Sequence, residues 1–221
     1  MAGDPAEAAA ALLLPPGVAH DALAQNRSVR ESATTPALRR YAGVVYDGLG
    51  YEGLPERVQR VAGRDVLIFS GLWGVLRGNE PVPDYRVPAK AVLPGIGAAA
   101  RFWRKVLDRE LPAMLGRGLI VDLRSSDYAA MWRPGPALAG RIVVARLLSP
   151  LPRGGLGVIS YNSKSAKGRL AAALLSQVAD GGSVRSADDV ARTWLALGGE
   201  VDRADSGRLD LVTRSAPGTR S

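Results

Sequence analysis

Four short stretches set the tightest limit on what this chain can fold into: Val66–Phe69 (VLIF), Leu119–Leu123 (LIVDL), Arg141–Leu148 (RIVVARLL) and Gly157–Tyr161 (GVISY). Short runs dominated by Val, Ile and Leu suit strands buried inside a sheet. Leu209–Val212 (LDLV) offers a last strand. Between these runs the periodicity becomes helical. Ala98–Leu115 places Phe102, Val106, Leu107, Leu111, Met114 and Leu115 on one stripe, against Arg101, Arg104, Lys105 and Asp108. Pro112 is expected to kink or end that helix. Further helices are predicted at Ala6–Leu14, Val18–Arg27, from Pro36 through Leu49, Pro55–Val61, Ser163–Val178 and Asp188–Leu197, the last capped by Ser186. Strands and helices alternate irregularly. The expected fold is therefore α+β (mixed α/β), a single domain whose central mixed β-sheet is flanked by helices.

With 221 residues the chain is long enough for one sizeable core, and its 47% hydrophobic content excludes wholesale disorder. No apolar run approaches the roughly 18–20 residues that span a bilayer. Met1–Ala11 holds Asp4 and Glu7 but no Lys or Arg, unlike a secretory leader, so a cytoplasmic location is expected. The chain has no cysteine, which removes disulfides, thiolate metal sites and thiol peroxidase chemistry together. Its only histidine, His20, is read as a solvated helix residue. A zinc site would need carboxylates almost alone, so neither a metal nor another cofactor is expected. No catalytic motif emerges.

The net charge of +8 is unevenly spread. From Tyr128 to Ala179 there are seven basic residues (Arg133, Arg141, Arg146, Arg153, Lys164, Lys167 and Arg169) and no Asp or Glu. Such a field favours a polyanion such as nucleic acid, or a small anionic ligand.

The distinctive strings are Ser70-Gly71-Leu72-Trp73-Gly74-Val75-Leu76-Arg77, Asp84-Tyr85-Arg86, Phe102-Trp103, Asp122-Leu123-Arg124-Ser125-Ser126-Asp127-Tyr128, and Tyr161-Asn162-Ser163-Lys164-Ser165-Ala166-Lys167-Gly168. Gly71 and Gly74, after a strand, let the chain turn and a ligand approach the backbone. Arg77 and Arg86 lie in Gly/Pro-rich loops, where a guanidinium can grip a carboxylate or phosphate in two-pronged fashion. Lys164, Lys167 and Arg169 fall near a predicted helix start. Cations there oppose the helix dipole, which a bound anion would reconcile; a solvated basic turn is the other reading. Ser70, Gly71, Tyr85, Asp127, Tyr128 and Tyr161 are expected to line a cleft at strand ends, with Arg86, Lys164, Lys167 and Arg169 converging on it. Asp127 suits helix capping, or acid–base work with Asp122. Trp73 and Trp103 suit the core, or base stacking.

In order and spacing these strings resemble the SGLYG-x-LR, PYR, FW, NLAS-x-EY and Y-x-K-x-A-[KR]-G blocks of the YaaA family of bacterial peroxide-stress proteins. The resemblance runs from about Ala33 to Thr213. It implies a helix-hairpin-helix near the N-terminus, binding to double-stranded DNA, and a role in limiting oxidative and iron-dependent damage. Leu14-Pro15-Pro16-Gly17-Val18-Ala19 looks like such a hairpin, with Gly17, Val18 and Ala19 offering backbone amides to a phosphate. The expected organisation is a helix-hairpin-helix-like region over residues 1–32, the α/β core over 33–213 and a disordered tail over 214–221. Family members open with a strand ending in Pro-Ser or Pro-Pro-Ser and a nearby Lys, and this chain has no matching start. A mis-called start or a natural truncation is the reading of that difference. Three functions follow: an indirectly acting DNA-binding protein of the peroxide-stress response, an enzyme or binding protein for a small anion, or a truncated inactive paralogue.

Overall fold

The computed structural model describes residues 4–158, 160–205 and 207–213. In chain order its elements are α1 (Pro5–Ala11), α2 (Pro16–Arg27), β1 (Thr35–Pro36), α3 (Ala37–Arg40), α4 (Val44–Leu49), a 3-10 turn (Tyr51–Gly53), α5 (Glu56–Asp65), β2 (Leu67–Ser70), β3 (Gly74–Arg77), β4 (Pro81–Val82), β5 (Val92–Leu93), β6 (Gly97–Ala98) and α6 (Ala99–Met114). There follow β7 (Ile120–Asp122), α7 (Ser126–Ala129), α8 (Pro136–Ala139), β8 (Ile142–Pro150), β9 (Leu156–Gly157), α9 (Ser160–Ala179), α10 (Ala187–Ala196), β10 (Glu200–Asp205) and β11 (Arg208–Val212). The fold is mixed α/β, as expected. Its contacts group into two compact units, one formed by Met1–Arg40, Gly63–Gly116 and Arg124–Gly135, the other by Tyr41–Ala62, Arg117–Leu123 and Pro136–Ser221.

The second unit is built on a five-stranded mixed sheet in the order β10-β11-β8-β7, with β9 pairing the end of β8. Strands β7, β8 and β11 run parallel, while β10 and β9 are antiparallel to their neighbours. Side chains alternate across a strand, so Val143, Ala145 and Leu147 of β8 face the same way as one another. With Leu209 and Leu211 of β11 they pack against Ala166, Leu170 and Leu174 of α9 and Val190 and Trp194 of α10. Ser163, Ala166, Leu170 and Leu174 recur at helical spacing, and this is the buried face of α9. Ser186 caps α10 as predicted, in a capping box with Asp189.

In the first unit, β2 and β3 form a hairpin pairing Leu67 with Arg77 and Ser70 with Gly74. The β5–β6 hairpin leads into α6. Leu12 and Leu23, from α1's end and α2, pack with Ala91 and Ala99.

Several elements depart from expectation. The helix expected to run from Pro36 through Leu49 is split: Thr35 and Pro36 pair with Val82 and Pro81, and Gly43, at φ 109, separates α3 from α4. That left-handed backbone breaks the helix, and glycine permits it. The GVISY run is not a buried strand. Among its described residues only Gly157 pairs, as the end of β9, and α9 already begins at Ser160. Pro112 lies inside α6 without ending it, since the helix continues to Met114. The predicted hairpin turn also shifts: Gly17, Val18 and Ala19 all lie within α2, and the turn occupies residues 12–15. Residues 214–221, the expected tail, lie outside the described residues. Among the described residues no helix is long and apolar enough to cross a membrane.

Candidate functional site

The second unit places its most distinctive chemistry where β7 meets α9. Parallel β7 ends at Asp122, and the next carbonyl, that of Leu123, accepts a 2.7 Å hydrogen bond from Lys167 Nζ. The amine is half-buried. Burial lowers its pKa from the ordinary lysine value, Asp122 opposes that shift, and Lys164 adds to it. One helical turn before Lys167, Ser163 is 2% exposed, and its hydroxyl has no hydrogen-bond partner among the described residues. Ligand sites in α/β sheets favour the carboxyl ends of parallel strands, and this cluster lies at such an end. A lysine with a shifted pKa beside a carboxylate there is a candidate binding or proton-transfer group.

The expected dipole argument for Lys164 and Lys167 is corrected by the helix start. With α9 beginning at Ser160, these residues are its fifth and eighth, so neither lies in the first turn. Tyr161, expected to end a strand, lies instead in that first turn and is 69% exposed. Lys164 and Arg169 are exposed and form no ion pair among the described residues; the same holds for Arg153. Arg146 is committed elsewhere. Asp210 accepts hydrogen bonds from the Nε and Nη2 of Arg146, at 2.7 and 2.6 Å, and from the same two nitrogens of Arg208 at 3.1 and 3.0 Å.

Gly168 and Gly48 have a packing role within this unit. A Cβ at Gly48 would sit 2.3 Å from the Ser165 carbonyl oxygen, so α4 and α9 touch backbone to backbone.

In the first unit the SGLWG string forms a turn held by a serine. Ser70 Oγ accepts hydrogen bonds from the amides of Leu72 (3.1 Å) and Trp73 (3.0 Å) and pairs with the Tyr85 hydroxyl. The glycines here serve the chain's own packing. A Cβ on Gly71 would lie 2.4 Å from the Val87 carbonyl oxygen, and one on Gly74, at φ 74, would lie 2.4 Å from the Trp103 ring. Trp103 donates its indole N–H to Gly71 O at 2.9 Å. Trp73 departs from a core role, being 39% exposed and edge-on to Tyr85.

Arg77 donates to the carbonyls of Arg64 and Met114, at 2.8 and 3.1 Å, which ties its guanidinium to the scaffold. Arg86 differs. Its backbone exchanges two hydrogen bonds with the Asn26 amide, at 2.8 and 3.0 Å, leaving its exposed side chain to point from an anchored loop. Asp127 is not a cap: Ser125 holds the N-cap position of α7, and Asp127 pairs with Lys90 at 3.0 Å. Tyr128 lies on α7, and its carbonyl accepts from Arg124. The sequence reading missed Arg124, whose guanidinium lies over the rings of Phe69 (4.4 Å) and Trp132 (5.3 Å). It missed Ser163 as well, although the four-residue spacing to Lys167 was visible. Gly17 has open space around it, while the Val18 amide already donates to Pro15 O at 3.1 Å. His20 is solvated as expected, its side chain 96% exposed.

The family described as "Peroxide stress protein YaaA" matches residues 2–191. The chain belongs to this family. A UPF0246 protein of Streptomyces coelicolor is 38% identical over 175 residues, covering 79% of this chain and 66% of that protein. One from Corynebacterium glutamicum is 33% identical over 163 residues, covering 67% of this chain and 58% of that protein. One from Corynebacterium efficiens is 32% identical over 196 residues, covering 85% and 72%. The chain thus spans about two thirds or less of the first two relatives' lengths. The family's YaaA blocks map onto both units: the SGLWG turn and Arg86 belong to the first, and Lys164, Lys167 and Arg169 to the second.

Proposed function

We propose that this YaaA-family chain acts in the cytoplasm during peroxide stress by binding duplex DNA through its phosphates, limiting iron-dependent damage without consuming peroxide itself. The observation that carries this reading is the set of exposed, ion-pair-free cations Arg153, Lys164 and Arg169, among described residues, in a segment holding no Asp or Glu from Tyr128 to Ala179. Unneutralised cations release counterions from DNA on binding, with no need to read base sequence. Arg86 on its anchored loop and the amides at the start of α2, near Gly17 and Ala19, add phosphate contacts in this reading. Fluorescence anisotropy of a labelled duplex at rising salt tests it. Affinity should fall steeply with salt and vary little with sequence, and the triple Ala variant of Arg153, Lys164 and Arg169 should flatten the log–log slope by about 0.9 for each contact removed. No binding at low salt, or binding indifferent to salt, would overturn the reading.

A further inference from the structure

We propose that the amino-terminal face of α9 holds a phosphate oxyanion between the Ser163 hydroxyl, the Lys167 ammonium and the first-turn amides. The starting point is an unmet hydrogen-bonding requirement. A serine hydroxyl donates one hydrogen bond and accepts two, and buried polar groups are almost always paired. Ser163 Oγ is buried and has no partner among the described residues. Elsewhere in this chain a helical serine solves the problem by bonding the carbonyl four residues back, as Ser176 does to Ala172 at 2.9 Å. Ser163 makes no such bond among the described residues.

Direction matters next. Side chains on a helix lean toward its N-terminus, so the Ser163 hydroxyl is aimed at the first turn, whose amides have no acceptor within the helix. Lys167, four residues on, shares that face and leans the same way. Its Nζ reaches Leu123 O at the carboxyl end of β7. A hydroxyl donor, an ammonium and helix-terminal amides together select an oxygen-rich anion. Lys164 adds positive charge. Asp122, whose charge favours the ammonium form of Lys167, repels an anion here, so the ligand has to be one that accepts several hydrogen bonds at once. Phosphate meets that requirement, whether as the free ion or within a phosphodiester.

The site stands independently of the DNA reading, because inorganic phosphate tests it alone. The full chain is titrated with phosphate, against chloride at matched ionic strength, by calorimetry and thermal melting. Wild type should bind phosphate and melt higher in its presence. Ser163→Ala should weaken phosphate about tenfold, the worth of a hydrogen bond to a charged group, while melting no lower than wild type without phosphate. Ser163→Thr should restore binding, and Arg60→Ala, on α5, should leave it unchanged. Lys167→Met should abolish it; if that variant fails to fold, Ser163→Ala carries the test. A short duplex then separates the sources. If Ser163→Ala weakens duplex and phosphate alike, the site takes a phosphodiester; if only phosphate is lost, it takes the free ion. Phosphate binding no better than chloride, or equal in wild type and Ser163→Ala, overturns the proposal.

Discussion

Gly168 of α9 meets α4 so closely that a Cβ would lie 2.1 Å from the Val45 carbonyl oxygen and 2.4 Å from the Leu49 amide nitrogen. Backbone cannot yield as a flexible side chain can, so a methyl group here must push α4 away from α9. Gly168→Ala should therefore cost about 1–3 kcal/mol, the usual penalty for overpacking a tight contact. Gly17→Ala gives the contrast: it has open space and an ordinary helical backbone, so it should be neutral or slightly stabilising. Urea denaturation of both variants checks this, and equal midpoints would contradict it.

The pairing of Asp210 with Arg146 and Arg208 predicts how stability depends on acid. Hydrogen bonding from Arg146 is the largest influence and burial opposes it; together with Arg208 the arginines hold the carboxyl far below the usual aspartate range. Because the folded pKa is depressed, the unfolded chain takes up this proton first. The contribution is fully present above the unfolded value near 3.8 and is lost as pH falls below it toward the folded value. Asp210→Asn should melt lower than wild type at pH 7, and the gap should narrow below pH 4. Urea midpoints measured from pH 7 to pH 3 test the sign, and a gap that widens in acid would refute it.

The fold's parallel strands and its long amphipathic helix were legible because burial writes a periodic pattern into sequence. The Arg141–Leu148 strand and the Ser186 cap formed where the residues indicated; of the expected α6 stripe Leu107 and Leu111 are buried, whereas Phe102 is 44% exposed. Elements set by other forces were not. β3 hides inside a string whose glycines suggested a ligand loop, and β10 (EVDRAD) reads as polar because one neighbour, β11, supplies its pairing. The GVISY run is too short for periodicity to separate a strand from a helix start. At the candidate site, Lys167 was visible as a cation but its half-burial was not. Arg77 and Arg146 looked like free anion binders because sequence does not reveal that carbonyls and Asp210 already hold them.

Ser70 makes a third prediction. Its oxygen accepts two backbone amides, so its own proton is the one left for the Tyr85 hydroxyl oxygen. Ser70 is 1% exposed, and Tyr85→Phe would strand that donor where water cannot reach it. The expected cost is about 1–3 kcal/mol, larger than the loss of one surface hydrogen bond. Trp73 stands edge-on to Tyr85, so its fluorescence should report the loosened turn. Ser70→Ala also strips the Leu72 and Trp73 amides of their acceptor, so the Tyr85→Phe, Ser70→Ala double variant stays destabilised, but by less than the sum of the singles because the hydroxyl pair is lost only once. If the double variant is as destabilised as the sum of the singles, the two hydroxyls are not coupled as described.

Peroxide itself should not be turned over by the pure protein. Reducing one peroxide to water takes two electrons, and a protein side chain that supplies them repeatedly is ordinarily a thiolate cycling through a sulfenic acid. This chain has no cysteine. Its oxidisable sulfur is confined to three methionines, of which Met131 is fully buried. Methionine oxidation ends at the sulfoxide until a separate reductase reverses it. Exposure to excess peroxide should therefore show at most a stoichiometric mass gain of one oxygen per reached methionine, with no continuing disappearance of peroxide. A peroxide electrode and intact-mass spectrometry on the same sample decide it: multiple turnovers above a heat-inactivated control would show that the chain acts on the oxidant directly.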